Sequence, residues 1–278
     1  MKLSQRLAIG YIRTKFKVLS VLSPKKAAEQ AFALFCTPLL RFRRKTKPAN
    51  AEALQFKIKN NTIKGYRWNH PQENKVLILH GFTSAAYKFE RYVSPLVKKN
   101  YEVLAFDAPA HGDSDGVTTN AVEYAEMINK IIELYGPIQN FIAHSFGCIA
   151  LSLALENKKL PSTKIIFIAP ATETTSAIDS AFELLRIRDQ SVRKEFDKVI
   201  VRISGNDPSW FSIRRAIKNI DANVLWVHDE NDDVTPVSDA LKVRDDGHSN
   251  IRFHITKGLG HRRIYHDKEV KNEIITFL

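Results

Sequence analysis

The chain of 278 residues has 44% hydrophobic and 26% charged residues, a composition typical of a folded globular protein and not of a disordered one. Its net charge of +12 is concentrated at one end, because residues 1–50 contain 12 Lys or Arg and a single acidic residue, Glu29. Residues 51–278 are nearly neutral, with 30 basic and 29 acidic side chains. This balance argues against nucleic acid as a partner of the larger part of the chain.

The two cysteines, Cys36 and Cys148, are far apart and show no CxxC spacing. The sequence therefore predicts neither a disulfide framework nor a zinc site, and it favours a reducing compartment, the cytoplasm. Basic residues interrupt the weakly signal-like start of the chain, and no apolar stretch approaches the roughly 18 residues that span a bilayer. Neither a signal peptide nor a membrane-spanning helix is expected.

Residues 1–50 are predicted to form a basic helical extension. Apolar residues recur at helical spacing in its first part, and Ser23 followed by Pro24 marks the start of a second helix. A basic run follows at residues 41–47. Two interpretations are open: residues 1–47 make peripheral contact with an anionic membrane, or their apolar faces pack on the rest of the protein and their charges are solvated.

From residue 51 onwards, short apolar runs alternate with helical patterns. Alternating apolar and polar residues on both sides of Asn60-Asn61 predict an antiparallel hairpin over residues 54–68. Six further runs have the length of buried parallel strands: residues 76–79, 103–106, 141–143, 165–168, 224–227 and 251–255. This order predicts an α/β fold with a mostly parallel central sheet, an N-terminal antiparallel hairpin and helices on both faces.

One interval, at about residues 172–220, has no convincing strand and contains helical patterns. An insertion at this point is predicted to form a small helical cap at the carboxyl edge of the sheet. The predicted organisation is therefore a helical extension over residues 1–50 and an α/β domain over residues 51–278 that carries the cap. Apolar residues of the insertion, such as Phe182 and Phe211, either line an acyl pocket or attach the cap.

Polar and glycine-rich segments follow the predicted strands, at the edge where an α/β sheet gathers its reactive groups. They are His80-Gly81-Phe82, Asp107 to Ser114, Ala143 to Gly147, His228 to Pro236, and Gly258-Leu259-Gly260-His261. Ser145 stands between an apolar run and a helical pattern, which places it on a tight strand-to-helix turn. Such a turn can hold a serine exposed as a nucleophile, or the serine can simply cap the helix.

In these segments the chain resembles the α/β-hydrolase superfamily, in its serine esterase and lysophospholipase-like branch. The forms HG-x, D-x-P-x-H-G-x-S, x-x-S-x-G and G-x-G-H occur in the order that the family uses, and Asp232-Asp233-Val234-Thr235-Pro236 stands where the family has D-x-x-V-P. The resemblance covers roughly residues 54–278. It implies the α/β-hydrolase fold and a Ser-Asp-His triad.

Carried over to this chain, the triad assigns one role to each residue. Ser145 attacks a carbonyl carbon, His261 accepts the hydroxyl proton and returns it to the leaving group, and Asp232 orients the imidazole. The backbone N–H groups of Phe82 and Phe146 are the expected donors of an oxyanion hole.

Other residues compete for these roles or depart from the family pattern. Asp229 and Asp233 are close to Asp232 in sequence, and Glu173 occupies a position that some family members use instead; the alignment to D-x-x-V-P favours Asp232. His80, His111 and His144 are expected to be structural. Ala143 and Ala110 stand where family members commonly have glycine; at Ala110, either the alanine adopts a positive φ at some energetic cost or the loop differs slightly.

The favoured function is hydrolysis of a carboxylic ester, with a small-molecule ester as the substrate and no metal or organic cofactor. A lipid-like or amphiphilic ester and a polar ester are both open as that substrate. A thioesterase, a cofactor-free peroxidase or a C–C bond hydrolase would use the same fold. A binding protein without catalysis is the remaining alternative, although no member of the triad is missing from the sequence.

Overall fold

An eight-stranded sheet organises the larger part of the chain in the computed structural model, which describes residues 3–278 with side chains from Ile9 onwards. The first residues of the predicted N-terminal helix, Met1 and Lys2, lie outside the described residues. The strands are β1 Glu52–Ile58, β2 Asn61–Trp68, β3 Lys75–Leu79, β4 Glu102–Phe106, β5 Asn140–His144, β6 Lys164–Ile168, β7 Asn223–Asp229 and β8 Ile251–Thr256. Each predicted apolar run lies within one of them.

The strands are arranged in the order β1-β2-β4-β3-β5-β6-β7-β8. The first two form an antiparallel hairpin and β2 pairs antiparallel with β4, whereas all other neighbours are parallel. The predicted mostly parallel sheet with an N-terminal hairpin is therefore confirmed. Strand β5 lies near the middle of the sheet, between β3 and β6.

Eleven α-helices lie in the described residues. They are α1 Leu3–Leu22, α2 Pro24–Phe35, α3 Val93–Lys98, α4 Ala121–Tyr135, α5 Phe146–Leu155, α6 Thr174–Leu185, α7 Gln190–Ser204, α8 Ile213–Ala216, α9 Val237–Asp245, α10 Gly260–Arg263 and α11 Lys268–Phe277. Of these, α1 is the longest, and it does not meet the combined requirements of length and low polarity for crossing a bilayer; nor does any other helix among the described residues.

Elements and connections from residues 38–172 and 212–278 form one unit, called here the sheet unit. Its sheet is buried on both faces because successive side chains of a strand point in opposite directions. On β3, Leu77 and Leu79 contact a core that includes residues of α4 and α5, whereas Val76 and Ile78 contact a second core that includes residues of α3 and α11. Helices therefore cover both faces, as predicted.

Residues up to Thr37 and residues 173–211 form a second unit, called here the helical unit. It joins the N-terminal helices to the insertion between β6 and β7. The rings of Phe32 and Phe35 on α2 contact the ring of Phe196 on α7, with centroids 5.7 and 5.9 Å away. Phe182 of α6 packs on Phe196 from another side, at 5.2 Å. Phe182 is thus part of the core of this unit.

Local signals explain how the two N-terminal helices begin and pack. The side chain of Ser23 accepts a hydrogen bond from the amide of Lys26, and proline occupies the first position of α2, which is the start predicted from the sequence. The buried face of α2 carries small side chains, Ala27, Ala28 and Ala31, and small residues allow close approach of a neighbouring helix.

Candidate active site

Ser145 lies at the turn between β5 and α5, near the centre of the sheet. Its backbone has φ 54° and ψ −118°, a conformation that residues other than glycine rarely adopt. The turn is held by three backbone hydrogen bonds: the amide of Ser145 donates to Ile168 (3.0 Å), and its carbonyl accepts from Cys148 (3.0 Å) and Ala171 (3.2 Å). The sequence pattern placed the serine on such a turn, and the structure has it there.

Two glycines make room for this turn. A Cβ atom on Gly147 would lie 2.8 Å from the carbonyl oxygen of His80, so a larger residue would push α5 away from the end of β3. A Cβ atom on Gly81 would lie 2.9 Å from the Cβ of Ser145. The close approach of both segments brings the turn after β3 next to the serine.

The side chains of Ser145, His261 and Asp232 form a continuous hydrogen-bonded chain. The Oγ of Ser145 lies 3.0 Å from Nε2 of His261, and Nδ1 of the same ring lies 2.8 Å from Oδ2 of Asp232. All three side chains are buried. Because Nδ1 faces a carboxylate, it carries the proton, and Nε2 is left to accept the hydroxyl proton of the serine. This is the arrangement that activates an alcohol for attack.

The carboxylate of Asp232 is fixed by the loop that follows β7. One of its oxygens accepts hydrogen bonds from the amides of Val234 (2.9 Å) and Thr235 (2.8 Å). The other accepts from the hydroxyl of Thr235 at 2.8 Å, and that hydroxyl also lies 3.1 Å from Nδ1 of His261. Burial raises the pKa of Asp232, but the hydrogen bond and charge of His261, together with these amides, lower it below its usual value.

The neighbouring acidic residues have different surroundings. Asp229, at the end of β7, accepts hydrogen bonds from the amides of Leu259 (3.0 Å) and Gly260 (2.9 Å), so it holds the loop that carries His261. Burial raises the pKa of Asp229, and hydrogen bonds led by that from the Thr256 hydroxyl outweigh burial and lower the pKa to about 2. Asp233 is exposed.

Glu173, the fourth acidic candidate, is the N-cap residue of α6 and belongs to the helical unit. Thr235, by contrast, has no role predicted from the sequence. The signal available there is a threonine between Val234 and Pro236, whose hydroxyl lies within hydrogen-bond distance of Asp232, His261 and the carbonyl oxygen of Ala169.

The two candidate oxyanion donors belong to adjacent turns. Phe146 is the first residue of α5, and the first N–H groups of a helix have no acceptor within the helix. The amide of Phe82 follows Gly81 in the turn after β3, and it donates to no acceptor among the described residues. The rings of Phe82 and Phe146 contact each other edge to face, with centroids 5.4 Å apart.

Besides His228, whose Nε2 lies 2.9 Å from the carbonyl oxygen of Thr235, three buried histidines lie beside this site without taking part in the hydrogen-bonded chain. His80 accepts from the amide of Ala108 (2.9 Å), and His111 accepts from the amide of Thr83 (3.1 Å). His144 donates from Nε2 to the carbonyl oxygen of His261, at 3.2 Å. All three bind loop backbone next to the site, consistent with a structural role.

These histidines are expected to make the stability of the protein fall steeply below about pH 6.5. Burial lowers the pKa of His80 to about 4 and those of His111 and His144 to about 3, so they stay neutral in the folded protein while the unfolded chain takes up protons from its usual pKa of 6.5 downwards. The contribution of these histidines to the free energy of unfolding is fully present above pH 6.5 and is lost as the pH falls. Three such groups together lower the free energy of unfolding by about 3 kcal/mol between about pH 6 and pH 5.

Denaturant unfolding at a series of pH values measures this slope. The variant His111→Gln keeps an acceptor for Thr83 and removes one of these buried groups, so we expect its slope to be smaller than the wild-type slope. Equal stability at pH 7 and pH 5 would contradict the assignment of neutral buried histidines.

No metal or organic cofactor was predicted, and this stays a prediction. In the part of the chain that the structure describes, no group of three or more His, Cys, Asp or Glu side chains is arranged to hold a metal ion.

Comparison with known proteins identifies the family. The model of the alpha/beta hydrolase family matches residues 76–272, which is more than half of the chain. The chain belongs to the alpha/beta hydrolase family. This matched segment contains Ser145, Asp232 and His261.

Relatives of this α/β-hydrolase are distant. It is 27% identical over 117 residues to an uncharacterized hydrolase, YugF, of Bacillus subtilis, covering 40% of this chain and 42% of that protein. It is 29% identical over 125 residues to the probable lysophospholipase BODYGUARD 4 of Arabidopsis thaliana, covering 42% of this chain and 29% of that protein. The match thus spans less than half the length of either curated relative.

Solved structures match more of the fold. The esterase Pf2001 of Pyrococcus furiosus superposes with a TM-score of 0.65 and 16% identity, covering 87% of this chain and 95% of that chain. The thioesterase domain from the curacin biosynthetic pathway gives a TM-score of 0.59 at 14% identity, covering 81% and 99%. At these identities the likeness concerns the fold alone.

Two alanines stand where this family commonly has glycine. Ala143 is fully buried in β5, and its small side chain fits before the turn at Ser145. Ala110 has φ 65°, so of the two alternatives for this loop the structure has the alanine in the left-handed conformation. Its amide donates to the carbonyl of Asp115 at 2.8 Å, which supports the turn. An alanine in this conformation costs about 1 kcal/mol relative to glycine.

Proposed function

We propose that this α/β-hydrolase is a serine hydrolase that cleaves a carboxylic ester through an acyl-enzyme on Ser145. The observation that carries the proposal is the hydrogen-bonded chain from the Ser145 hydroxyl through His261 to Asp232, with distances of 3.0 and 2.8 Å. Membership of a hydrolase family and an esterase among the structural neighbours support the same reaction class.

The proposed reaction has two steps. The Oγ of Ser145 bonds to the ester carbonyl carbon while its proton passes to Nε2 of His261, and the resulting oxyanion accepts hydrogen bonds from the amides of Phe82 and Phe146. The C–O bond to the alcohol then breaks, and the alcohol leaves with the proton from His261. In the second step, water attacks the acyl carbon and gives up a proton to the same nitrogen. The bond between the acyl carbon and Oγ then breaks, Oγ takes that proton back, and the carboxylic acid leaves.

A fluorophosphonate probe tests the nucleophile directly, because it phosphonylates an activated serine. We expect the wild-type protein to be labelled and the variants Ser145→Ala and His261→Ala to be unlabelled. Far-ultraviolet circular dichroism of each variant would control for folding. Unlabelled wild-type protein would reject the proposal and favour a binding protein without catalysis.

We further propose that the substrate is amphiphilic. The basic residues of the N-terminal extension and the similarity of part of the chain to a probable lysophospholipase support an ester that combines an apolar acyl chain with a polar group. A series of p-nitrophenyl esters of increasing acyl length, each paired with the corresponding thioester, measures both preferences. We expect the specificity constant to rise with acyl length and to be higher for the oxygen esters; a thioester preference would reassign the enzyme as a thioesterase.

Thr235 is expected to act as a positioning residue in this reaction. Its hydroxyl donates to Asp232, touches the ring of His261 and lies 3.3 Å from the carbonyl oxygen of Ala169, so the variant Thr235→Val keeps the shape of the side chain and removes all three contacts. We expect kcat/KM to fall about tenfold, which corresponds to one buried hydrogen bond, with a shift in the acidic limb of the pH–rate profile. The variant Thr235→Ser should restore both values. A Val variant that matches the wild type would remove this role.

We propose a cytoplasmic location for the activity. Two widely spaced cysteines in 278 residues support a reducing compartment. Fractionation of cells followed by immunodetection measures this, and recovery of the protein only from a secreted fraction would contradict it.

A further inference from the structure

Helix α1 carries apolar residues on two opposite faces, and only one of these faces is covered. On the inner face, Phe16 and Ser20 are buried. The guanidinium group of Arg13 on the same side donates to the carbonyl oxygen of Leu184, at 2.8 and 2.9 Å, which fixes α1 to the end of α6 within the helical unit. The inner face therefore attaches α1 to the rest of the helical unit, and the opposite face takes no part in this attachment.

The other face presents a stripe of three large apolar side chains to solvent. Tyr11, Val18 and Leu22 follow one another at spacings of seven and four residues, so they lie in line along the helix. Their side chains are 72%, 55% and 76% exposed. These three side chains line a groove of about 380 Å³ that extends to Gln30 on α2. An exposed apolar stripe of this kind is typical of a surface that contacts another protein, a ligand or a membrane.

Lysines flank the stripe. Lys15 lies at its edge, one helical turn after Tyr11, and Lys17 is exposed on the flank of α1, about 100° around the helix from Val18. Lys25 and Lys26 are exposed at the start of α2. The only acidic residue among the first 50 is Glu29, and Arg202 of α7 lies 3.5 Å from it. The face thus combines apolar side chains with unbalanced positive charge.

We propose that this face of α1, called here the α1 stripe, docks on the surface of an anionic lipid bilayer. Apolar side chains would enter the boundary between head groups and acyl chains, while the long side chains of Lys15 and Lys17 reach back to anionic head groups. A second copy of this chain is a poorer occupant, since it would bring like-charged lysines together. The docking is independent of the chemistry proposed at Ser145.

Vesicle sedimentation with the full chain tests this. The Ser145→Ala protein is used as the reference, so that hydrolysis of lipid cannot change the vesicles and the result does not depend on the proposed activity. Vesicles of phosphatidylcholine alone are compared with vesicles that also contain phosphatidylserine, at low and high salt. We expect binding to the anionic vesicles only, and weaker binding at high salt.

Matched pairs of variants separate the two contributions. In the reference background, Val18→Ser with Leu22→Ser is expected to weaken binding at least about tenfold, whereas Leu134→Ser, which alters a 45% exposed leucine on α4, should leave it unchanged.

Lys15→Gln with Lys17→Gln is expected to weaken binding about 30-fold, because each lysine near an anionic surface contributes about a factor of five. Lys158→Gln with Lys159→Gln, two exposed lysines of the sheet unit, should have no effect.

Several results would overturn the proposal. These are equal binding to neutral and anionic vesicles, binding that none of the α1 variants weakens, and no binding to either vesicle. A concentration-dependent dimer in sedimentation velocity that the Val18 and Leu22 variants abolish would assign the α1 stripe to a second copy instead. Unfolding midpoints equal to that of the reference protein would exclude misfolding as the cause of lost binding.

Discussion

Replacement of Ser145 by alanine is expected to lower kcat for ester hydrolysis by about 10⁶-fold, because the proposed acyl-enzyme cannot form without the hydroxyl. The fold should be retained, since the side chain contributes one hydrogen bond, to His261. Steady-state hydrolysis of a p-nitrophenyl ester and labelling by the fluorophosphonate probe measure the loss. An alanine variant with a substantial fraction of wild-type activity would remove Ser145 from the mechanism.

A comparison of two variants at residue 145 tests the backbone strain of the turn through their free energies of unfolding. With φ 54° and ψ −118°, an alanine at residue 145 keeps the backbone strain and a glycine relieves it. We expect Ser145→Gly to unfold with a free energy about 1 kcal/mol larger than that of Ser145→Ala, after the greater flexibility of glycine in the unfolded chain is included. Both variants should be inactive. Equal stability in denaturant unfolding would mean that the turn is not strained.

Replacement of Asp232 by asparagine is expected to lower kcat by about 10⁴-fold. An amide at this position can donate to Nδ1 of His261, which favours the tautomer whose Nε2 carries a proton and cannot accept one from Ser145. The side chain keeps its size, so the amides of Val234 and Thr235 still have an oxygen acceptor. Steady-state kinetics across pH, with unfolding measurements on the same protein, separates this loss from destabilisation.

Parallel variants distinguish Asp232 from the other acidic candidates. Asp233→Asn and Glu173→Gln are expected to stay within about twofold of wild-type activity, in line with the small effect of substitutions away from a reacting group. Asp229→Asn is expected mainly to lower the free energy of unfolding, because the carboxylate accepts from two amides of the loop before His261. A loss of about 10⁴-fold in any of these variants instead of Asp232→Asn would reassign the orienting carboxylate.

Strands and strand ends could be predicted because their signals are local. Each buried strand is a short apolar run followed by glycine, proline or polar residues, and parallel strands place such ends at one edge of a sheet. The ends of β5, β7 and β8 therefore indicate Ser145, Asp232 and His261. The ring of His261 lies within hydrogen-bond distance of both other side chains.

The contacts of Thr235 and Asp229 could not be predicted in the same way. Asp229 and Asp232 are three residues apart with similar neighbours in sequence, and only the path of the loop decides which carboxylate faces the imidazole and which faces the amides of Leu259 and Gly260. Backbone direction within a loop of a few residues depends on its hydrogen bonds to other segments. Pattern and spacing carry little information about them.

The association of the N-terminal helices with the insertion could not be predicted from the sequence either. Residues 3–37 and residues 173–211 are both rich in amphipathic helices, which predicts that each segment packs on another part of the protein but not that the two segments pack on each other. The contact between Arg13 and Leu184 joins residues 171 positions apart. Such long-range partners follow from side-chain complementarity in three dimensions, as in the ring contacts of Phe32 and Phe35 with Phe196.

This long-range pairing has a consequence for the order of events during synthesis. Helix α2 ends at Phe35 and its partner α7 begins at Gln190, so about 155 residues must be translated between them. At ordinary rates of elongation this takes roughly 10–30 s. Throughout that interval the alanine face of α2 and the rings of Phe32 and Phe35 have left the ribosome without the helix that later covers them. The nascent chain is therefore expected to engage chaperones first through its N-terminal helices and to be released when α7 emerges.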